Sequence, residues 1–379
     1  MIYADYNGSA PPCTEVLDFL KTRLCEGPFA NPNASHALGT KIMGSMEKVR
    51  LTCAQVLGAK PNQILFLSGA TEGISTAFHS ALKCMQKKNP ARKLIVISAI
   101  EHSAVLQTAK DYESQGYELF IFPVGETGVL NINDFENFMQ KKGNEVALVS
   151  IMAANNETGI IQPYEEIAKV CQKYEAYYFS DTTQFIGKAS FDFGKCGADF
   201  AVMSGHKIGA LTGIGVLLIK EAKGFIPLIF GGGQEGNKRG GTQNYLGIET
   251  LGVALEAFEK KIPLLPELEQ ARKNFEMNLK KSFPSVVIIG ENSPRLPSTT
   301  LIAHPPLLGS TVQKELEKNN IFVTTSSACS DGDTAISKVL KNMGISESAG
   351  RGVVRISLGF NNFSENYKKI QEVLTQIYS

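Results

Sequence analysis

From about residue 60 onward, short apolar runs alternate with stretches whose apolar residues recur every three to four positions. Ile64–Leu67, Leu94–Ile97, Leu119–Phe122, Val146–Ile151, Tyr177–Phe179, Phe200–Met203 and Val216–Ile219 have the β-branched and aromatic content of strands. Between the first two, Ile74, Ala77, Phe78, Ala81, Leu82 and Met85 fall on one face of a helix. Alternation of this kind predicts an α/β fold with a mainly parallel sheet covered by helices on both faces.

The pattern changes after Gly231-Gly232-Gly233. A long helical region over 244–282 leads into a second group of elements. Val286–Ile289, Thr299–Ile302, Ile321–Thr324 and Val353–Ser357 read as strands, and Ser310–Lys318, Thr334–Asn342 and Ser364–Tyr378 as helices. The expected organisation is an N-terminal arm (1–13) associated with a smaller α+β domain (251–379), and a large domain (14–250) between them.

Charge adds little and excludes something. Thirty-eight basic residues against 37 acidic ones give no field that would attract a polyanion, so nucleic acid is not expected as a partner. The N-terminus lacks the basic and apolar regions of a signal peptide, and no run reaches the roughly 18 apolar residues of a membrane helix. A cytoplasmic protein without a membrane segment is the expectation. The seven cysteines form no CxxC pair or Cys/His cluster, so neither a metal site nor a disulfide framework is expected. Most read as small buried residues; Cys329 differs, because its neighbours Ser326-Ser327-Ala328 and Ser330-Asp331-Gly332-Asp333 are small and polar.

The chemistry suggested by the strand ends is that of pyridoxal phosphate (PLP), which needs a lysine for a Schiff base, a carboxylate for the ring nitrogen, donors for the phosphate and a group over the ring. Lys207 follows a strand in Ser204-Gly205-His206-Lys207 and would emerge at the carboxyl edge of the sheet, where open α/β folds bind ligands. An isolated Ser-Gly-His-Lys is more often a surface turn; its company changes the reading. Asp181 closes another strand and could keep the ring nitrogen protonated, although a lone Asp there is commonly a helix cap. Gln184 could reach the ring hydroxyl. Ser204 and His206 could donate to the phosphate, and Ser68-Gly69-Ala70-Thr71 opens a helix whose N-terminal N–H groups form an anion cup. His102 occupies the equivalent place after a third strand, where it could stack on the ring or carry a proton.

Taken in order, Tyr3-Ala4-Asp5-Tyr6-Asn7, Asn31-Pro32-Asn33-Ala34-Ser35-His36, Ser68-Gly69-Ala70-Thr71-Glu72, Glu101-His102, Asn155-Asn156-Glu157-Thr158-Gly159, Asp181-Thr182-Thr183-Gln184, Ser204-Gly205-His206-Lys207, Arg239-Gly240-Gly241-Thr242 and Ser327-Ala328-Cys329 resemble the cysteine desulfurases of the NifS/IscS type. These belong to the class V aminotransferase group of fold-type I PLP enzymes. The resemblance runs from residue 3 to about residue 375. It implies that Ala70, Thr71, Ser204 and His206 bind the phosphate, that Asn156 and Gln184 contact the ring hydroxyl side, that Asp181 pairs with the ring nitrogen and that His102 stacks on the ring. It also implies a homodimer in which Thr242 reaches the neighbouring subunit's phosphate, with Asn31, Asn156 and Arg355 on the substrate side. A planar bidentate donor such as Arg355 suits a carboxylate better than lysine does.

The implied activity is conversion of L-cysteine to L-alanine, with a persulfide formed on Cys329 and passed to a sulfur-acceptor protein for iron–sulfur or thio-cofactor supply. Cys329 separates that reading from its relatives, a class V aminotransferase, a selenocysteine or cysteine lyase, or an inactive PLP-binding sulfur-carrier scaffold. The chain departs from the family pattern at Asp331 and Asp333, which flank the reactive cysteine and would raise its pKa, and at Gly236, where an arginine is common. It also stops at Ser379, without the family's scaffold-docking extension.

Overall fold

The computed structural model describes residues 1–325 and 336–379. Cys329, Asp331 and Asp333 therefore lie outside the described residues. In chain order the strands are β1 (Ile2–Tyr3), β2 (Ile64–Leu67), β3 (Leu94–Ser98), β4 (Glu118–Phe122), β5 (Val146–Ser150), β6 (Tyr177–Asp181), β7 (Phe200–Ser204), β8 (Gly215–Ile219), β9 (Val287–Ile288), β10 (Thr299–Ala303), β11 (Ile321–Phe322) and β12 (Val353–Ser357). The helices are α1 (Thr14–Glu26), α2 (Ala37–Val56), α3 (Ala70–Lys88), α4 (Ser103–Ser114), α5 (Ile132–Lys142), α6 (Tyr164–Lys173), α7 (Phe193–Cys196), α8 (Gln234–Asn237), α9 (Tyr245–Glu259), α10 (Leu265–Ser282), α11 (Gly309–Lys318), α12 (Lys338–Asn342), α13 (Glu347–Arg351) and α14 (Phe363–Tyr378).

Seven strands form one sheet in the order β2-β8-β7-β6-β5-β3-β4. Neighbours from β4 to β7 pair in parallel, and β8 runs antiparallel to both β7 and β2. Two reversals cancel, so β2 points the same way as β7. The carboxyl ends of β2, β3, β6 and β7 consequently open onto one edge, bringing together Ser68, His102, Asp181 and Ser204. Strands β3, β5, β7 and β8 are buried along their whole length, and β6 at all but its first residue, as a sheet covered on both faces requires. All six residues predicted for the apolar face of α3 are buried against it. Each contributes up to about 1.5–3 kcal/mol by leaving water, the alanines less.

A second sheet, β12-β10-β9, is antiparallel and packs with α10, α11 and α14 around its own core. β1 pairs in parallel with β11, which ties the N-terminal arm to these elements. The helical region expected over 244–282 is divided, because Pro263 and Pro266 reset the backbone between α9 and α10. The helix expected over Thr334–Asn342 narrows among the described residues to α12, where Ser337 accepts the Leu340 N–H as its cap. β1 and the short α13 carry too little periodicity to be read from sequence. Among the described residues no helix is long and apolar enough to cross a membrane.

Burial of the cysteines is less uniform than expected. Cys53, Cys171 and Cys196 are buried, Cys13 and Cys84 are half-buried and Cys25 is exposed. Burial pushes the Cys53 thiol up to about 12 and Cys196 up to about 11, so these groups are poor nucleophiles. The described residues contain no His/Cys/Asp/Glu cluster able to hold a metal.

Candidate active site

A cavity of about 570 Å³ sits at the sheet edge defined above, with Ala70, Thr71, His102, Asn156, Asp181, Gln184, Ser204, His206, Lys207 and Arg355 on its walls. Ten predicted site residues thus share one space. Asn31 and Thr242 do not line it. Thr242 lies in an adjoining cavity with Ser68, Gly213 and Arg239, and Asn31 is exposed, accepting from Asn33, whose amide bonds Gln243.

The anion cup is built by α3. Ala70 and Thr71 begin the helix, so their N–H groups have no carbonyl a turn earlier to pair with. A Cβ on Gly69 would lie 3.6 Å from Ser204 Oγ, so the turn and that hydroxyl face each other. Glu72 anchors the turn. Its carboxylate accepts the Ser68 N–H at 2.8 Å and pairs with Arg239 Nε at 2.8 Å, which binds two motif blocks 167 residues apart. The Glu72 carboxyl is held below its ordinary range: burial opposes this, and bonds from Arg239 and Ser68 overcome it.

Asp181 ends β6 and is 6% exposed, with its Oδ1 accepting the Thr183 N–H at 2.9 Å. Behind it, Glu101 accepts from Ser98 Oγ at 2.5 Å and from the Met152 N–H at 2.9 Å. Burial, with Asp181 adding to it, pushes Glu101 up to about 8, so Glu101 stands protonated at neutral pH. His102 caps α4, its Nδ1 accepting the Ala104 N–H at 3.1 Å, which leaves the ring edge directed by the cap.

Lys207 follows β7 in a single helical turn, and its Nζ donates to the carbonyls of Asn7 at 2.7 Å and Gly8 at 2.5 Å. Both acceptors belong to the N-terminal arm. Asn7 is held there by Ser357 Oγ through its N–H, and by Thr299 and the Asn156 carbonyl through its side chain. Arg355, on β12, donates from Nη1 to the Asn156 carbonyl at 2.9 Å and from Nη2 to Asp5 Oδ1 at 2.5 Å. Its Nε is buried with no partner among the described residues, as is Thr183 Oγ1. Glu157 also lines the cavity, and burial, against the Ser337 hydroxyl and Arg355, pushes it up to about 7.

These features fit PLP. The volume suits a small aromatic ligand with a phosphate. Lys207 and Arg355 stand opposite a helix N-terminus, an arrangement that calls for an anion, and the two buried unpaired donors have capacity for acceptors. His206 is held below its ordinary pKa by burial and by Lys207 and Lys188, which makes it a neutral hydrogen-bonding group near pH 7.

Sequence reading missed Asp5, Asn7, Glu101, Thr183 and Lys188. Four of these stand inside or beside the motif blocks, and proximity to assigned residues was the available signal. Lys188 had none, because a buried lysine is indistinguishable from a surface one in sequence.

Comparison with known proteins gives a consistent picture. The family model described as aminotransferase class-V matches residues 2–370. The chain is 32% identical over 380 residues to the cysteine desulfurase IscS of Dictyoglomus turgidum, covering 99% of this chain and 94% of that one. A solved NifS-like protein superposes with a TM-score of 0.86 at 32% identity, covering 99% of both chains. A structure of SspA in complex with cysteine superposes with a TM-score of 0.80 at 28% identity, covering 94% of this chain and 99% of the other.

Proposed function

We propose that this chain, which belongs to the aminotransferase class-V family, is a PLP-dependent cysteine desulfurase that converts L-cysteine to L-alanine and carries the sulfur away as a persulfide on Cys329. The observation that supports this most is the gathering of Lys207, Asp181, the α3 N-terminus and Arg355 on one cavity. In this reading residues 14–250 form the cofactor domain, 251–379 the smaller domain and 1–13 an arm associated with the smaller domain.

Bound PLP would supply a ring able to accept electrons from the substrate Cα. Ala70, Thr71, Ser204 and His206 would hold its phosphate, Asn156 and Gln184 its hydroxyl side, and His102 its face. Asp181 would hold a proton on the ring nitrogen. Lys207 would anchor the aldehyde carbon and, once replaced there by the substrate amine, would take the Cα proton. Arg355 would orient the substrate carboxylate, with Asn156 on the same side. A Cys329 thiolate would attack the substrate sulfur, forming an S–S bond as the Cβ–S bond breaks; Cβ would take the electron pair and then a proton, Lys207 would return a proton to Cα, and alanine would leave.

Thr242 lies outside its own chain's cavity, which supports a homodimer in which it serves the neighbouring phosphate. The sulfur then passes to an acceptor protein in the cytoplasm. The test supplies L-cysteine and a reductant and measures alanine and sulfide. Wild type forms both, Lys207→Ala forms neither, and Cys329→Ser loses sulfide release; equal sulfide from Cys329→Ser would overturn the persulfide route.

A further inference from the structure

Lys188 is a buried amine that the chemistry above does not use. It is 6% exposed and follows Gly187, whose φ of 87° turns the chain back against Ile208, the residue after Lys207. A Cβ on Gly187 would lie 2.1 Å from Ile208 Cγ2, so only glycine permits this approach. The turn directs Lys188 Nζ onto Gln184 Oε1, to which it donates a short hydrogen bond. At the other end of the same amide, Gln184 Nε2 donates to the Asn7 carbonyl at 2.9 Å.

The two contacts determine which way the amide faces. A backbone carbonyl only accepts, so Nε2 must face Asn7, and the Lys188 amine then donates to Oε1 on the other side. Flipping the amide would set oxygen against oxygen at Asn7 and take the acceptor away from Lys188. Nε2 carries a second N–H, and Gln184 lines the cavity. We propose that Lys188 is a positioning residue that locks the Gln184 amide with its N–H₂ end toward the cavity, so that Gln184 serves as a hydrogen-bond donor to the phenolic oxygen of PLP.

This rests on the PLP reading of the site. The donor matters because the phenolic oxygen is negatively charged when the Lys207-linked nitrogen has lost its proton; an N–H toward that oxygen stabilises the deprotonated form, whereas an amide oxygen there would oppose it. Burial, with the charges of Lys207 and Arg355 beside it and against that of Asp5, holds Lys188 well below the ordinary lysine range, and His206 also faces it. A second cavity of about 200 Å³, lined by Lys188, Tyr6, Ile208, Phe258 and Phe360, lies behind the lysine and gives a longer donor room.

The experiment loads wild type, Lys188→Met, Lys188→Arg, Gln184→Ala and the Lys188→Met/Gln184→Ala double variant with PLP. Two quantities are read: the dissociation constant of PLP, and the pH midpoint of the visible absorbance of the lysine-linked cofactor. Lys188→Met weakens PLP about tenfold and raises the midpoint by about one pH unit, the scale of one buried hydrogen bond. Lys188→Arg keeps the donor and stays near wild type. Gln184→Ala shifts both quantities by itself, and adding Lys188→Met to it changes neither further. A wild-type midpoint in Lys188→Met, or an undiminished Lys188→Met effect in the Gln184→Ala background, would overturn the proposal. Failure of wild type to form the visible band would overturn the PLP reading instead.

Discussion

Asp5 Oδ1 and Arg355 Nη2 lie 2.5 Å apart, so the arginine best placed to hold a substrate carboxylate already carries one from the N-terminal arm. The pair is well shielded, with the Arg355 side chain 9% exposed and that of Asp5 25% exposed. A second carboxylate approaching the same guanidinium meets Asp5's charge as well as the attraction of Arg355. Asp5→Asn keeps an acceptor in the same place and removes the charge. The KM for L-cysteine should fall by about three- to tenfold with kcat changing less, and Arg355→Lys should raise KM by more than about tenfold, because lysine cannot serve both partners in one plane. Steady-state kinetics on the two variants decides both.

Glu101 makes stability depend on pH in the direction opposite to most carboxylates. Unfolded, its pKa is about 4.3; folded, burial pushes it up to about 8. Between these values the folded chain holds a proton that the unfolded chain has released, so its contribution is full below the lower value and is lost as pH rises through the upper one. Glu101→Gln imitates the protonated group and keeps Oε1 as acceptor for Ser98 and Met152. Melting temperatures across this interval should fall less steeply with rising pH in Glu101→Gln than in wild type.

Gly215 lets β8 pass directly behind the anion cup. A Cβ there would sit 2.6 Å from the Met203 carbonyl oxygen and 2.7 Å from Gly69 Cα, both backbone atoms that cannot rotate away. Gly215→Ala should cost about 1–3 kcal/mol of stability in denaturant unfolding. It should also weaken PLP retention, because the displaced atoms belong to the turn that opens α3.

The Glu72–Arg239 pair joins the turn before α3 to the Arg239–Thr242 block. Glu72's folded pKa is depressed, so the stability it adds is present above its unfolded value near 4.3 and is lost as pH falls through the folded one. Arg239→Gln should remove part of that acid-sensitive stability and, by loosening Ser68, raise the PLP dissociation constant. Equilibrium dialysis of PLP at neutral pH, with unfolding curves between about pH 3 and 6, measures both.

Most of the sheet and the residues that line the cavity were legible because both are local. A strand announces itself by β-branched runs and α3 by its apolar period, and Lys207, Asp181, His102 and Thr71 stand immediately after strands, where a parallel sheet opens its ligand edge. The order of the strands was not legible, since β8 reverses direction without any sign in its five residues.

The sequence by itself determined the α/β class, the residues at the ligand edge and the family resemblance, because periodicity and motif spacing are written within a few residues. Only the tertiary structure decided how those residues are tuned. Asp5 meets Arg355 across 350 positions, and Lys207 meets the Asn7 carbonyl across 200. Lys188 and Glu101 acquire their character from burial and from the charges packed beside them, and Gln184 takes its orientation from Lys188 and Asn7. Charge, desolvation and hydrogen-bond direction at this site depend on what is packed nearby in space, and no local pattern in the chain encodes that.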